Sequence, residues 1–531
     1  MTKRGHSAFP RACVVLLIVT ASASAFIFSD YGITWDEGVQ ATYGELVLDY
    51  FASGGRDSGA NKYFNLFYYG PLFESIAAAA YRVAGGWKYE IRHAAIGLAA
   101  LLTLVAVWRF GRKLGSPAIP FFAMLALVMM PRFTGHAFNN SKDIPFACGF
   151  AWAMVAIGRL LAGRRWSWSD VLLCGAGIGV AMSLRVGAVM LLVILAGGIL
   201  ASLILSPEER RVWREHLGNR VVKAAVIIAT AWAIMVLGWP WAHAAPLTRP
   251  FAALAEASSF SFSYTTYFAG EFVRSSELPR YYLPLYLTIV TPLVLLGLAA
   301  WGFGSAVREQ LAHPREPRSL MTLLVQLWLL FPIVYVVATR PNVYDGIRHF
   351  LFLLPALALF CGCGAASLLR TFGCRKIAIG ALVVLVASPL PALVLLHPYQ
   401  SSFFNGLVGG VGKAWRSYDT DYWASSYAEA MRWVLAQDPA GESFAIAVAC
   451  NSHNRPCAEY YLQTARDDAP RITLHCVWDG TETLPDDIRY YVGMLRYGKA
   501  GTFFPDWPVT HRIGRRGAVF SVIKRNPSAP G

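Results

Sequence analysis

The sequence predicts a mainly α protein: a polytopic membrane helical bundle of about eleven spans, followed by a small C-terminal α/β domain. Hydrophobic residues make up 56% of the 531 residues, and charged residues only 15%. Apolar runs of membrane-spanning length recur up to about residue 396, and the chain beyond that point is polar. This composition excludes a soluble enzyme.

The first apolar run, 12–28, follows three basic residues and begins the bundle. It is either a span or a cleaved signal, because the small residues at 21–25 resemble a signal-peptidase site. A shorter run, 71–84, is predicted to lie along the interface. The other predicted spans cover 91–108, 117–131, 143–162, 170–184, 186–205, 221–239, 281–304, 320–338, 349–369 and 376–396. Of these, 117–131 and 170–184 are close to the minimum length for a span.

The distribution of basic residues predicts the orientation of the chain. With a cytoplasmic N-terminus, the arginine clusters between spans fall inside, which is the positive-inside bias. The prediction is a multi-pass protein of the cell (inner) membrane, with a transmembrane domain at 1–396 and an exoplasmic, periplasmic domain at 397–531. Its exoplasmic loops are 30–90, 132–142, 240–280 and 339–348. This orientation explains the net charge of +15, so no nucleic-acid partner is predicted.

The C-terminal domain reads as a mixture of one amphipathic helix and several short strands. The helix is predicted at 425–437, and the strands at 443–449, 471–477, 489–494 and 518–524. Cys450, Cys457 and Cys476 lie in this polar part of the chain. An oxidising compartment would allow one disulfide among them.

Three segments on the predicted exoplasmic face are dense in polar residues. Asp36 and Glu37 follow the first span, where an acid pair is either hydrated loop or part of a polar site. Arginine binds phosphate oxygens through bidentate bonds, and a carboxylate can accept a proton from a hydroxyl. The segments therefore predict transfer of a group off a lipid-linked phosphate. The other two segments are 131–145, with Arg132, Lys142 and Asp143, and 339–350, with Arg348 and His349.

Each of these signals also has a simpler interpretation. The acid pair fits ordinary loop acids or a helix N-cap, and Lys142 with Asp143 fits an interfacial pair at the start of a span. Arg348 and His349 fit snorkelling anchors. A transporter or flippase for an anionic amphiphile is the alternative function, and it predicts ionisable residues midway along spans. Here the charges lie at the ends of spans, which favours an enzyme.

Several motifs together resemble one family. They are Trp35-Asp36-Glu37, the segments 135–145 and 344–350, and the membrane-exit segment 397–423. The chain resembles the bacterial family 39, protein-mannosyltransferase-like branch of the GT-C glycosyltransferases, and the likeness covers most of its length.

The resemblance implies a transferase with a polyprenyl-phosphate sugar as donor and an exoplasmic glycolipid, polysaccharide or protein as acceptor. One base and a stabilised leaving group suffice for inverting transfer. The resemblance implies Asp36 as the base, with Glu37 and Asp143 as further acids of the site. The cations expected to hold the donor phosphate are Lys142, Arg348, His349 and Arg132.

Metal use stays open at this stage, because GT-C enzymes differ in their need for a divalent ion. The sequence has no strict His/Asp cluster. A divalent metal is compatible with His136, Glu37 and Glu74 only if the fold brings these three together. No metal ligand and no certain cofactor is assigned.

Overall fold

The computed structural model describes residues 8–163, 165–259, 264–372, 376–437, 443–464, 472–478, 484–485 and 487–529. It confirms the predicted fold class, a mainly helical membrane bundle with a small C-terminal sheet. In the described ranges, eight helices are long and apolar enough to cross a membrane. They are Ala8–Asp30, Lys88–Gly111, Asp143–Ala162, Val186–Leu205, Leu217–Leu237, Pro317–Thr339, Arg348–Phe372 and Lys376–Leu395.

The remaining three predicted spans are bent or short helices. Tyr282–Ile289 and Leu293–Ala312 meet at an angle of 116°. The break contains Pro292, which has no N–H to donate and disfavours helical geometry in the residue before it. The two runs near the minimum length form the apolar helices Ala118–Val128 and Trp168–Met182.

The short run predicted at 71–84 is the helix Leu72–Ala84. It ends at Gly85, whose φ of +66° is the left-handed conformation that glycine adopts without strain. The other helices outside the spans are Glu37–Ala52, Pro131–His136, Pro207–Glu215, Pro240–His243, Arg249–Ser259, Val411–Ala414, Tyr427–Ala436, Pro456–Thr464 and Lys499–Thr502.

The span Arg348–Phe372 lies at the centre of the bundle. It packs against Leu293–Ala312, Ala118–Val128 and Pro317–Thr339, and most of its side chains are buried. The first helix is peripheral, because its apolar side chains face outward, as lipid-facing residues do. Val14, Val15, Ile18 and Val19 are all exposed there.

The C-terminal region forms a mixed five-stranded sheet. Its strands are β3 (Phe444–Val448), β4 (Ile472–Cys476), β5 (Ile488–Met494), β6 (Val509–Arg515) and β7 (Ala518–Arg525). Strand β3 is parallel to β4 and β5, whereas β7 is antiparallel to β5 and β6.

Four of these strands and the helix Tyr427–Ala436 agree with the predicted elements. Strand β6 was not predicted, because its sequence, VTHRIGR, carries three basic side chains and a glycine and lacks a hydrophobic stripe. A disulfide joins Cys450 and Cys476, while Cys457 is a buried free thiol.

A small hairpin in the predicted loop 240–280 touches the C-terminal region. Its strands are β1 (Thr265–Phe268) and β2 (Glu271–Arg274), which pair antiparallel. Phe268 bridges to Tyr418 on the chain that leaves the bundle. The hairpin thus links a loop between two spans to the segment that leads into the sheet.

Candidate active site

The segment that carries Asp36 is fixed between the bundle and the C-terminal region. The Trp35 amide donates to the Trp423 carbonyl at 2.9 Å, and the Ile33 amide donates to the Tyr461 hydroxyl at 2.7 Å. A Cβ on Gly32 would lie 2.1 Å from the Ser425 carbonyl oxygen, so only glycine permits this approach.

Asp36 and Glu37 face different surroundings. Asp36 is about one-third exposed, with a side-chain accessibility of 35%, and it lines a polar cavity. Glu37 is fully buried: its carboxylate accepts from the Thr34 amide at 2.7 Å and lies 3.1 Å from Nε2 of His93. Both acids of the pair are predicted site residues, but their positions differ. Asp36 lines the cavity, whereas Glu37 is buried at the start of the helix Glu37–Ala52.

The loop before the span Asp143–Ala162 positions a lysine and an aspartate. The Asn140 side chain accepts from the Asp143 amide at 2.8 Å and donates to the Asp143 carboxylate at 2.9 Å. The same carboxylate pairs with Arg185. Lys142 points into the polar cavity, with its ammonium 4.8 Å from the centre of the Tyr69 ring.

Arg348 is a buried cation that lies beside these acids. Its Nε lies 2.9 Å from Asp345, and its Nη1 lies 3.9 Å from Asp36 and 4.0 Å from Asp143. The guanidinium also packs over the rings of Tyr344 and Trp423, at 5.0 and 4.9 Å. These contacts fix the planar group beside Asp36, where it can bind an anion.

The C-terminal sheet supplies one more cation, which the sequence did not single out. Arg496 follows β5 and donates to Asp345 at 2.7 Å and to the Tyr422 carbonyl at 2.6 Å. Asp345 thus binds Arg348 from the bundle and Arg496 from the sheet. Arg185, directly before the span Val186–Leu205, also lines the site.

These side chains enclose a polar cavity of about 260 Å³. Four cations and two carboxylates are among its lining groups, so the ionised side chains leave an excess of positive charge. Aromatic side chains from the bundle, the hairpin loop and the C-terminal region complete its wall. The charged and histidine lining residues are Asp36, Lys142, Arg185, Asp345, Arg348, His349, His453 and Arg496.

An apolar cavity of about 190 Å³ adjoins the polar one. Arg185, His349 and Tyr344 line both cavities. Its other walls come mainly from spanning helices and include Phe146, Val186, Met190, Tyr335, Val336 and Phe352. A molecule with a charged head and an apolar chain would place the head at the shared wall and the chain between the helices.

Two other predicted site residues lie behind the cavity wall or away from it. Asp143 is 1% exposed and lines neither cavity in the described part of the chain, although its partners Arg185 and Arg348 do. Arg132 donates from Nε to the Phe403 carbonyl at 3.1 Å and lies over the Phe404 ring. It anchors the chain that leaves the membrane and does not reach the polar cavity.

Burial changes the proton affinity of two groups near the site. Burial lowers the pKa of Lys142 from its ordinary value, and the Asp36 carboxylate opposes this effect. Burial, with the nearby Arg132 and Arg348 cations, holds the pKa of His136 well below its usual range. His136 is therefore neutral at physiological pH, and its Nε2 lies 2.9 Å from the Tyr422 hydroxyl.

The three residues considered for a metal do not meet. Glu37 contacts His93, and Glu74 pairs with Arg92 at 2.7 Å. His136 contacts Tyr422 instead. Among the described residues, no group of three or more His, Cys, Asp or Glu side chains has the geometry to hold a metal ion.

The chain is similar to a known protein family over part of its sequence and to solved structures over nearly all of its length. Residues 69–239 match the family model described as dolichyl-phosphate-mannose-protein mannosyltransferase. The crystal structure of ArnT from Cupriavidus metallidurans in the apo state is similar over 98% of this chain and 99% of that one, with a TM-score of 0.52 and 17% identity. The chain has a GT-C fold. The predicted resemblance to GT-C glycosyltransferases is thereby confirmed.

Two further solved structures are similar to the chain at comparable or lower levels. ArnT bound to undecaprenyl phosphate matches over 98% of this chain and 99% of that one, with 18% identity and a TM-score of 0.50. The Archaeoglobus fulgidus oligosaccharyltransferase in its apo form matches 91% of this chain and 69% of that one, with 11% identity and a TM-score of 0.48. No curated protein matches the chain in a sequence search.

Proposed function

We propose that the protein is a glycosyltransferase that moves a sugar from a polyprenyl-phosphate donor to an exoplasmic acceptor. One observation carries the proposal: the Asp36 carboxylate lines a cationic cavity that shares a wall with an apolar cavity between spanning helices. The GT-C fold and the family match over residues 69–239 agree with it. The acceptor class is a glycolipid, a glycan or a protein.

The donor fits the two cavities through its two chemically different parts. The polyprenyl chain would occupy the apolar cavity, where burial of its surface favours binding. The phosphate would lie at the shared wall, within reach of Arg185 and His349, with Lys142 and Arg348 on the polar side. Charge-assisted hydrogen bonds from arginine to a phosphate are about twice as strong as neutral ones, so these cations would also stabilise it as the leaving group.

The transfer would proceed by displacement at the anomeric carbon of the donor sugar. Asp36 accepts the proton of the acceptor hydroxyl, whose oxygen forms a bond to the anomeric carbon. The bond between that carbon and the phosphate oxygen breaks, and the electron pair leaves with the polyprenyl phosphate. A single displacement of this kind inverts the anomeric centre. Its chemistry needs one base and one stabilised leaving group.

Arg348 lies beside Asp36, with its Nη1 3.9 Å from the carboxylate. Asp143 has a supporting role in this scheme, because it orients Arg185 and Arg348 from behind the cavity wall. Glu37 and Arg132 have no direct role in the transfer. They stabilise the segment that starts at Thr34 and the chain that leaves the membrane, respectively.

The orientation of the chain is part of the proposal. The basic residues between spans support a cytoplasmic N-terminus, which puts the polar cavity, the loops around it and residues 397–531 on the exoplasmic side. The acceptor would then enter from the aqueous compartment outside the cytoplasm. The donor would enter sideways from the lipid.

The experiment is envelope glycan and glycolipid mass spectrometry on a strain from which the gene is deleted. We expect one sugar mass to disappear on deletion and to return with the wild-type protein, but not with Asp36→Asn at equal expression. Asp49→Asn is the matched control, because Asp49 is an exposed acid that pairs with Arg82 at the surface of the helix starting beside Asp36.

Two outcomes would contradict the proposal. If deletion changes no sugar mass, the protein is not a transferase for an envelope component. If Asp36→Asn restores the missing mass as well as the wild type does, Asp36 is not the base, and a transporter of lipid-linked sugar becomes the better account.

A further inference from the structure

A second cavity of the exoplasmic region is not used by the donor or by the base. It measures about 300 Å³, at the lower end of the range of roughly 300–1,000 Å³ for small-molecule sites. The hairpin β1–β2 and the segment 415–422 form most of its wall, and β7 and the chain after β5 close it. We call it the outer cavity.

The outer cavity shares one residue with the polar cavity that holds Asp36. Arg496 lines both, and it is held in place by its bonds to Asp345 and to the Tyr422 carbonyl. A molecule in the outer cavity would therefore lie one side chain away from the site of transfer.

The lining of the outer cavity combines aromatic rings with carboxylates. Tyr267, Phe272, Trp415 and Tyr418 contribute rings, and Asp419 and Asp421 contribute acids. Phe272 is 55% exposed at the rim, and its ring centre is 4.9 Å from that of Tyr267. Flat rings at a rim offer apolar contact to one face of a ligand while the polar groups fix its orientation.

The charges of the outer cavity favour a neutral ligand. Asp421 is already occupied, because its two oxygens accept from the Ser425 and Ser426 amides at 3.0 and 2.8 Å. Asp419 accepts from the Tyr267 amide at 2.9 Å through one oxygen. Arg496 is paired with Asp345. The wall carries two acids, Asp419 and Asp421, and two arginines, Arg416 and Arg496, so their formal charges cancel and offer an ion no net attraction. An alkyl chain would cover these polar groups without forming bonds to them, which is unfavourable.

Hydroxyl groups on a ring with apolar C–H faces match this combination of rings and acceptors. We propose that the outer cavity binds a sugar residue of the acceptor, next to the residue that receives the transferred sugar. The rings of Tyr267, Phe272 and Trp415 would contact its C–H faces, and the Asp419 carboxylate would accept bonds from its hydroxyls. The inference rests on the proposed function and narrows the acceptor to a saccharide-bearing molecule.

The test uses the full-length purified protein and two separate extracts. The envelope extract of the deletion strain supplies unmodified acceptor, and the lipid extract of the same strain supplies donor. Initial rates are measured while one extract is varied at a saturating amount of the other. Phe272→Ala and Asp419→Asn change the outer cavity, and Phe372→Ala is the matched control, since Phe372 is also exposed, at 67%, and lies far along the chain at a helix end.

We expect each outer-cavity variant to raise the apparent KM for the acceptor extract about 3- to 10-fold, the loss typical of one aromatic or hydrogen-bonded contact. The KM for the donor extract and the rate at saturation should stay within about twofold of wild type, as should all parameters of the control.

Other results would overturn the inference. An unchanged KM for the acceptor in both outer-cavity variants would show that no acceptor sugar binds there. A raised KM for the donor alone would assign the cavity to the donor sugar. Absence of any product from the wild-type protein would instead contradict the proposed function itself, which separates the two failures.

Discussion

Asp345 joins the bundle to the C-terminal sheet, and its removal should destabilise the protein more than the removal of either of its partners. The carboxylate is 1% exposed, lies 2.9 Å from Arg348 and accepts a 2.7 Å bond from Arg496. We consider two nearly isosteric changes, Asp345→Asn and Arg496→Met. Each removes one charge from a buried network without opening a large cavity.

The surroundings of each group set the expected magnitudes. In Arg496→Met, Asp345 keeps Arg348, so the cost is that of one charged hydrogen bond, about 1.5–3 kcal/mol. In Asp345→Asn, Arg496 keeps only the neutral Tyr422 carbonyl as a hydrogen-bond partner in the described structure. Arg348 keeps Asp36 and Asp143 at 3.9 and 4.0 Å. Leaving a buried cation without its acid costs about 3–5 kcal/mol.

The assay is the midpoint of thermal unfolding of the purified protein in detergent, for both single variants and the double variant. We expect Asp345→Asn to lower the midpoint more than Arg496→Met, and the double variant to be less destabilised than the sum of the two. Arg211→Met is the control, because its pair with Glu215 is exposed and should contribute only about 0.3–0.5 kcal/mol. Equal and additive shifts would refute the reasoning.

Three further predictions concern stability. Glu37→Gln should lower the free energy of unfolding by about 1.5–3 kcal/mol, the contribution of the charged bonds to the Thr34 amide and His93, and so lower the unfolding midpoint. The activity per folded molecule should stay within a few-fold of wild type. A stable but inactive variant would contradict the placement of Glu37. Burial raises the pKa of Asp419 from 3.8 to about 6, so the folded state binds the proton more tightly and the protein loses stability as pH rises between these values. The free energy of unfolding of Asp419→Asn should therefore exceed that of wild type by about 1–3 kcal/mol at pH 8 and by little at pH 4. An equal effect of the substitution at both pH values would refute this prediction. Cys450→Ser removes the disulfide to Cys476, which links residues 26 positions apart. The substitution should lower the free energy of unfolding by about 3 kcal/mol and abolish the effect of reductant on the unfolding midpoint. A reductant effect that persists in the variant would contradict this prediction.

The spans could be predicted from the sequence because crossing a membrane imposes a length and an apolar composition on each helix. The cavity-lining cations Lys142 and Arg348 could be predicted as candidates for a related reason. They lie at the ends of spans, on the face that the positive-inside bias leaves poor in basic residues. The orientation of the chain in the membrane therefore does not explain them, which indicates a role in a site. Both line the cavity together with Asp36 and His349.

The rest of the site depends on tertiary structure that neighbouring residues do not reveal. Glu37 adjoins Asp36, but successive side chains on a helix point about 100° apart, so one faces the cavity and the other the bundle. Arg132 shares the polar loop with Lys142 but turns to Phe403. Arg496 lies more than a hundred residues beyond Arg348 and reaches the site only because β5 ends beside it.

The most direct test of the central claim is the rate of sugar transfer by purified Asp36→Asn, with the donor that carries the sugar found missing in the deletion strain. A lost general base reduces the rate by about 10²–10⁴-fold, and the KM for the donor should change little, because Asp36 is not among the groups proposed to hold its phosphate. Asp49→Asn should transfer at the wild-type rate. A rate for Asp36→Asn within about tenfold of wild type, at equal protein folding, would contradict the account.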